Sequence, residues 1–200
     1  MLEIISAAQK SAVFSDVNTS ELPALLTALH PVVRSFRKGE ILVMAGYTVQ
    51  EMGLILAGEA NAIQLNAAGD ALSVATLRTG DVFGDILAAS KNAHSPVTVQ
   101  AVTQCRVAFV RHSAIFTPLG HLHSAQCTLL QSMMRSAADK YFAQQLRMSI
   151  LAEKTLRAKL LHWVAAQGGN PVALPPRAQL EAYLGCERAA LCRVLSQMKN

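Results

Sequence analysis

The sequence predicts an α+β protein: an antiparallel β-roll of jelly-roll type, then one long helix, then a small helical module ending in a helix-turn-helix. Three observations predict it. Between Phe36 and Arg111, short apolar runs alternate with glycine-containing turns. From Leu122 to Gln167 there is neither proline nor glycine. The chain's whole positive excess falls in its last quarter: residues 1–146 carry ten Lys/Arg and ten Asp/Glu, whereas residues 147–200 carry eight Lys/Arg against three acids.

The bulk properties set the frame. Two hundred residues, 52% of them hydrophobic and 16% charged, suffice to bury a core without bridges or metals, and exclude a disordered chain or a charge-rich coiled coil. No apolar run reaches the eighteen or more residues of a membrane span. The start, Met1-Leu2-Glu3-Ile4, shows no basic segment leading into an apolar stretch. The four cysteines, Cys105, Cys127, Cys186 and Cys192, form no CxxC. The expectation is a cytoplasmic protein with no membrane partner.

Along the chain, Ser20 to Leu29 reads as a short capped helix with Pro23 inside its first turn. Strands follow at Ile41–Met44, Met52–Ala57, Ala60–Leu65, Leu72–Leu77, Val97–Val102 and Arg106–Val110, with residues 66–70 reading as a hairpin turn. Runs at this spacing, separated by turn signals, argue for an antiparallel sandwich or barrel. Residues 1–123 are therefore assigned to a β domain with short N-terminal helices.

Residues 124–151 read as one helix. Leu130, Met134, Ala137, Tyr141, Met148 and Leu151 keep an a/d spacing that Gln144 interrupts once. Such a seam either pairs with a second copy of the helix or packs on the chain's own β domain.

Residues 152–200 form the third stretch. Leu156, Leu160, Leu161 and Val164 mark an amphipathic helix stopped by Gly168-Gly169-Asn170-Pro171. Residues 177–184 and 188–198 then read as two helices around Gly185-Cys186, with Leu180, Leu184, Leu191, Val194 and Leu195 able to meet between them. This spacing fits a helix-turn-helix, whose second helix enters the DNA major groove. Turning Leu191 and Leu195 inward leaves Arg188 and Arg193 outward, and an arginine fork matches guanine O6 and N7. Ala189 and Cys192 are small neighbours of that surface, Glu187 is a helix-start acid or a cytosine acceptor, and Arg177 opens the first helix. Double-stranded DNA is the partner such a basic module suggests. The alternatives are a solvated basic face, or helices that contact protein instead.

These segments, in this order, resemble the Crp/Fnr family of bacterial transcription regulators over nearly the whole chain. Arg37-Lys38-Gly39-Glu40, Gly46, residues 54–59, Gly69 and residues 79–85 are similar to the glycine pattern of that family's cyclic-nucleotide-binding-type β-roll. Residues 130–151 resemble its dimerisation helix and residues 180–195 its helix-turn-helix. The resemblance implies a homodimer on a near-palindromic operator, an effector in the β-roll that re-aims the DNA-binding domains, and RNA polymerase as a further partner. It also implies a winged module. The sequence ends at Asn200, where the family's wing usually follows, so the expectation is either a module without its wing or a sequence that stops short of it. Ala189 stands where family members often carry Glu.

The same resemblance implies an effector pocket at Phe83, Gly84 and Asp85 and at His94, Ser95 and Pro96. Relatives that bind cyclic nucleotides hold the phosphate with an Arg-Ser/Thr pair, and Ser95 occupies the arginine's place here. A phosphate without that cation loses its charge-assisted bonds. The effector is therefore expected to be a small molecule other than a standard cyclic nucleotide. Haem remains an option because six histidines are present, whereas the family's N-terminal cysteine cluster for an iron–sulfur centre is missing. His121-Leu122-His123 alternates rather than sharing a helix face, so no metal site is assigned. Redox sensing by Cys105 or Cys127 is a further option. The chain carries no GxSxG, no P-loop and no dinucleotide-binding glycines, and only His94 lies between Phe36 and Val110, too few for a cupin-type metal site. No catalytic residue is assigned.

Overall fold

The computed structural model describes residues 1–65, 69, 71–168 and 174–198. They form two compact units, Met1–Ala138 and Asp139–Asn200, and the division falls inside the long helix.

The first unit begins with α1 (Leu2–Ala8) and α2 (Leu22–Ala28), the latter with Pro23 in its first turn, where a missing N–H costs nothing. Eight strands follow: β1 (Val32–Phe36), β2 (Ile41–Val43), β3 (Glu51–Ala57), β4 (Ala60–Leu65), β5 (Ala71–Leu77), β6 (Val82–Phe83), β7 (Thr98–Ala101) and β8 (Cys105–Arg111). They make two four-stranded antiparallel sheets, ordered β1-β8-β3-β6 and β2-β7-β4-β5. Helix α3 (His112–Phe116) and α4 (His123–Leu151) follow.

The first sheet is the middle layer, and its sequence shows why. In β3, Met52, Leu54 and Leu56 join the core shared with Ile4, Phe14, Leu25 and Leu26, while Ile55 joins a second core between the two sheets. In β8, Ala108 and Val110 face the first core, and Val107 and Phe109 the second. Alternate side chains of a strand point to opposite faces, so a strand covered on both sides reads as a continuous apolar run. Met52-Gly53-Leu54-Ile55-Leu56 is such a run.

The structure adds elements that the sequence reading omits. β1 pairs along β8 from Val32↔Phe109 to Phe36↔Cys105. It lies directly after His30-Pro31, and its outer residues are exposed, so it lacks a buried alternation. β6 has only two residues, too few for any periodicity. α1 and α3, of seven and five residues, are likewise too short to show one. The expected hairpin turn at 66–70 and the breaker at 168–171 lie, apart from Gly69 and Gly168, outside the described residues.

α4 turns its first half onto the β domain through Ala125, Leu129 and Met133. Gln126, also buried, donates from Nε2 to the carbonyls of Ile115 and Thr117 and accepts at Oε1 from the Leu119 N–H. One side chain thus satisfies three backbone groups between the last turn of α3 and Leu119. The a/d seam faces elsewhere. Leu130 packs partly on the first core and Ala137 is half-buried, but Met134, Tyr141 and Met148 are 75%, 59% and 63% exposed. Within the first unit, Met134 of the seam therefore stays off the β-domain core.

The second unit packs the end of α4 with α5 (Leu156–Ala166), α6 (Arg177–Leu184) and α7 (Arg188–Gln197) around Ile150, Leu160, Trp163, Leu180, Leu184 and Leu191. The Thr155 hydroxyl caps α5 by accepting from the Ala158 N–H. Leu161, expected on the inner face of α5, is 48% exposed, and Trp163 fills the core instead.

Candidate functional site

Two regions carry the functional candidates, one in each unit. In the β domain, β6 delivers Phe83 into the core between the sheets. Its ring meets Phe109 edge-on at 5.9 Å, and Phe36 meets Phe109 from another side at 6.0 Å. Gly84 follows at φ +76°, where an added Cβ would stand 2.8 Å from the Glu51 carbonyl oxygen. Only glycine fits there. Asp85, buried, leads into a short 3₁₀ turn at Ile86–Ala89.

Ser95 is buried as well, and its hydroxyl donates to the Val97 carbonyl at 2.7 Å while accepting from the Val97 N–H at 3.3 Å. The hydroxyl thus closes its own turn. Pro96 is exposed, and exposed His94 bonds through Nδ1 to Asn92. The six expected pocket residues belong to two turns, Phe83-Gly84-Asp85 and His94-Ser95-Pro96. None of them lines the two described grooves of the β domain.

One of those grooves, about 340 Å³, runs beside β1, β2 and the segment into β3. Its polar edge is a pair that the sequence reading missed. Arg34 of β1 grips Glu51 of β3 through two bonds of 2.6 and 2.9 Å, and its guanidinium lies 4.4 Å from the centre of the Phe109 ring. The two residues are brought together only because β1 and β3 both flank β8. No local spacing announces that neighbourhood.

His112 was also missed as a site residue. It opens α3, and its Nε2 donates to the Gly84 carbonyl at 3.1 Å, tying the Phe83-Gly84-Asp85 turn to the end of β8. That bond requires the proton on Nε2. Burial lowers its pKa from the ordinary 6.5, against the opposing pull of the Gly84 bond, Asp85 and Glu51. A folded pKa below the unfolded one means the unfolded chain binds the extra proton first. Its contribution is therefore full above about pH 6.5 and is lost as pH falls from there toward the lower folded value. Thermal melts between pH 7.5 and 5 should show Tm falling with acidity, and His112→Gln, which keeps a donor, should flatten that slope. An unchanged slope would remove His112 as its source.

In the helical unit, α6 and α7 are joined by Gly185-Cys186-Glu187. Gly185 takes the left-handed conformation, φ +62° and ψ +47°, that ends α6. Leu191 is fully buried, and Val194, Leu195 and Met198 pack partly on the same core. That fixes the opposite face of α7: Arg188, Ala189, Cys192, Arg193 and Ser196, spaced as neighbours on one side of a helix. Arg188, Ala189, Arg193, Glu187 and Arg177 are all exposed. Among the described residues, no carboxylate lies within ion-pair distance of Arg188 or Arg193. Arg177 reaches across to this face, its Nη1 lying 3.7 Å from the Cys192 sulfur.

Comparison with known proteins agrees on the fold. The family model of the cyclic nucleotide-binding domain matches residues 33–117. No curated protein matches the chain. Among solved structures, the c-di-GMP-responsive global regulator CLP of Xanthomonas campestris is 15% identical, with a TM-score of 0.64 over 88% of this chain and 91% of that one. A cyclic nucleotide-binding domain from Methylobacillus flagellatus is 17% identical, also at 0.64, over 78% and 85%. A candidate cAMP-binding regulatory protein of Silicibacter pomeroyi is 20% identical at 0.57, covering 100% of this chain and 88% of its own. At these identities the likeness is one of fold. The β domain has the cyclic nucleotide-binding fold, and among the described residues no helix is long and apolar enough to cross a membrane.

Proposed function

We propose that this chain is an effector-responsive, non-enzymatic regulator that binds near-palindromic operator DNA as a homodimer. The observation that carries the reading is the outward face of α7. It sets two arginines, without carboxylate partners among the described residues, on either side of small residues, Ala189 and Cys192, in the part of the chain that holds the entire net charge of +5. Small residues let a helix approach base edges, and the flanking forks supply guanine contacts. The exposed Met134, Tyr141 and Met148 of α4 supply a dimer seam at heptad spacing. Two-fold symmetric protein implies a two-fold symmetric site.

The β domain is the sensor in this reading. Ser95 stands where relatives that hold a cyclic phosphate place an arginine, and its hydroxyl is already engaged by Val97. A neutral or weakly charged effector suits that turn better than a cyclic nucleotide does. Binding-site selection from random duplex DNA tests the whole reading. A symmetric site should enrich, and affinity for it should fall steeply with salt, log K declining by about 0.9 per tenfold rise in salt for each phosphate neutralised. Failure to enrich any sequence, with weak binding that ignores salt, would favour helices that contact protein.

A further inference from the structure

α4 carries four Asp, Lys or Arg side chains, Arg135, Asp139, Lys140 and Arg147, and the reading above gives none of them a role. Arg147 turns inward, toward α6. Its Nη2 donates to the Ala182 carbonyl at 2.9 Å and its Nε to the Tyr183 carbonyl at 3.4 Å, while its guanidinium lies 5.4 Å from the centre of the Tyr183 ring. The last four carbonyls of a helix have no partner within it. In α6 those belong to Glu181, Ala182, Tyr183 and Leu184. The first is taken by the N–H groups of Gly185 and Cys186, and the next two by Arg147. A cation at this end also meets the negative pole of the helix. One arginine therefore holds α6 at the turn that leads into α7.

The next residue along α4 is Met148, 63% exposed and part of the heptad seam. Successive helix residues project about 100° apart, so a single turn of α4 presents Met148 outward and Arg147 to α6. We propose that Arg147 is the positioning residue that sets where α7 stands relative to the seam, and hence the separation of the two reading helices in the dimer. The assignment rests on the operator-binding reading. Its content is geometric: Arg147 touches no base, and it fixes which half-site spacing the dimer accepts.

Half-site spacing is the readout a merely structural role would not move. Adding or removing one base pair shifts a half-site by about 3.4 Å and turns it by roughly 35°, since a turn of DNA holds 10–10.5 pairs. A rigidly held reading helix should reject such a site by about tenfold or more, the flexibility of the DNA setting the limit. The test uses the full chain and duplexes carrying the selected half-sites at the optimal spacing and at one pair more or fewer. Arg147→Met, which keeps the length and loses both hydrogen bonds, should narrow the discrimination to within about threefold while single-half-site preferences stay as in the wild type. Arg147→Lys keeps the charge and one donor direction and should restore part of it. A uniform loss of affinity at every spacing, from a smaller folded fraction or a lost phosphate contact, overturns the assignment. So does an unchanged spacing preference. A wild-type chain that selects no sequence overturns the operator reading as well, which separates the two failures.

Discussion

Arg193→Ala should abolish selective operator binding while leaving the protein folded. The residue is exposed on the outer face of α7 and has no carboxylate partner among the described residues, so its removal disturbs no core contact and orphans no charge. A bidentate arginine–guanine contact discriminates by about 1–3 kcal/mol. A symmetric dimer loses it in both half-sites, about 2–6 kcal/mol in all, which is roughly thirtyfold to more than ten-thousandfold in affinity. Fluorescence anisotropy with the selected duplex and a scrambled one measures the loss. Arg193→Lys discriminates between two roles. It keeps the charge but not the planar fork, so a base-reading arginine should lose most of its selectivity on this change, while a phosphate-neutralising one should keep its affinity and salt slope. Equal binding by the lysine variant would move Arg193 from base reading to phosphate contact. Arg188, five residues earlier at the other edge of the same outward side, should give a loss of the same order at a different base position.

Gly53→Val should destabilise the β domain by overpacking it. Gly53 sits in β3 beneath the Phe83 ring, and a Cβ built there would fall 2.2 Å from Phe83 Cζ and within 2.7 Å of both Cε atoms. That is well inside contact distance, and the ring is confined by Phe109 at 5.9 Å. Overpacking of this kind costs about 1–3 kcal/mol and occasionally more. For a domain of this size each kcal/mol lowers Tm by about 2–4 °C, so a melt should fall by several degrees. Phe83→Ala would open the space that valine needs, although alone it costs about 3–5 kcal/mol as a cavity. The two changes should therefore be less than additive when combined, and a double-mutant cycle measures the coupling. Strict additivity would show that the two side chains do not compete for one space. Because Phe83 leads into Gly84 and Asp85, the same variant should also shift the turn that the sensor reading requires.

Both predictions draw on residues whose types were readable in advance, but only the first was readable as a site. Arg188 and Arg193 could be placed on one outward face because helix geometry follows from local spacing, and Leu191 fixes the opposite side. The order of strands β2 to β5, β7 and β8 was likewise legible, since each is a run bounded by its own turn signals. Gly53 was not, because a glycine inside an apolar run gives no sign of which ring covers it. Arg34 and Glu51 meet only across β8, and His112 reaches Gly84 over 28 positions of sequence. Arg147 is one more charge on a long helix until α6 is laid against it.

The sequence by itself determined the class of the fold, the extent of the long helix and the outward face of α7. These depend on periodicities of two and 3.6 residues and on breakers that act within a few positions. Tertiary structure alone decided that β3 and β8 are covered on both sides, that α4 packs through Ala125, Leu129 and Met133 while Met134, Tyr141 and Met148 stay exposed, and that Arg147 caps α6. The physical reason is the same in each case. Hydrogen bonding and helix propensity are settled between near neighbours in the chain, whereas burial is settled by whichever distant surface arrives to cover a face.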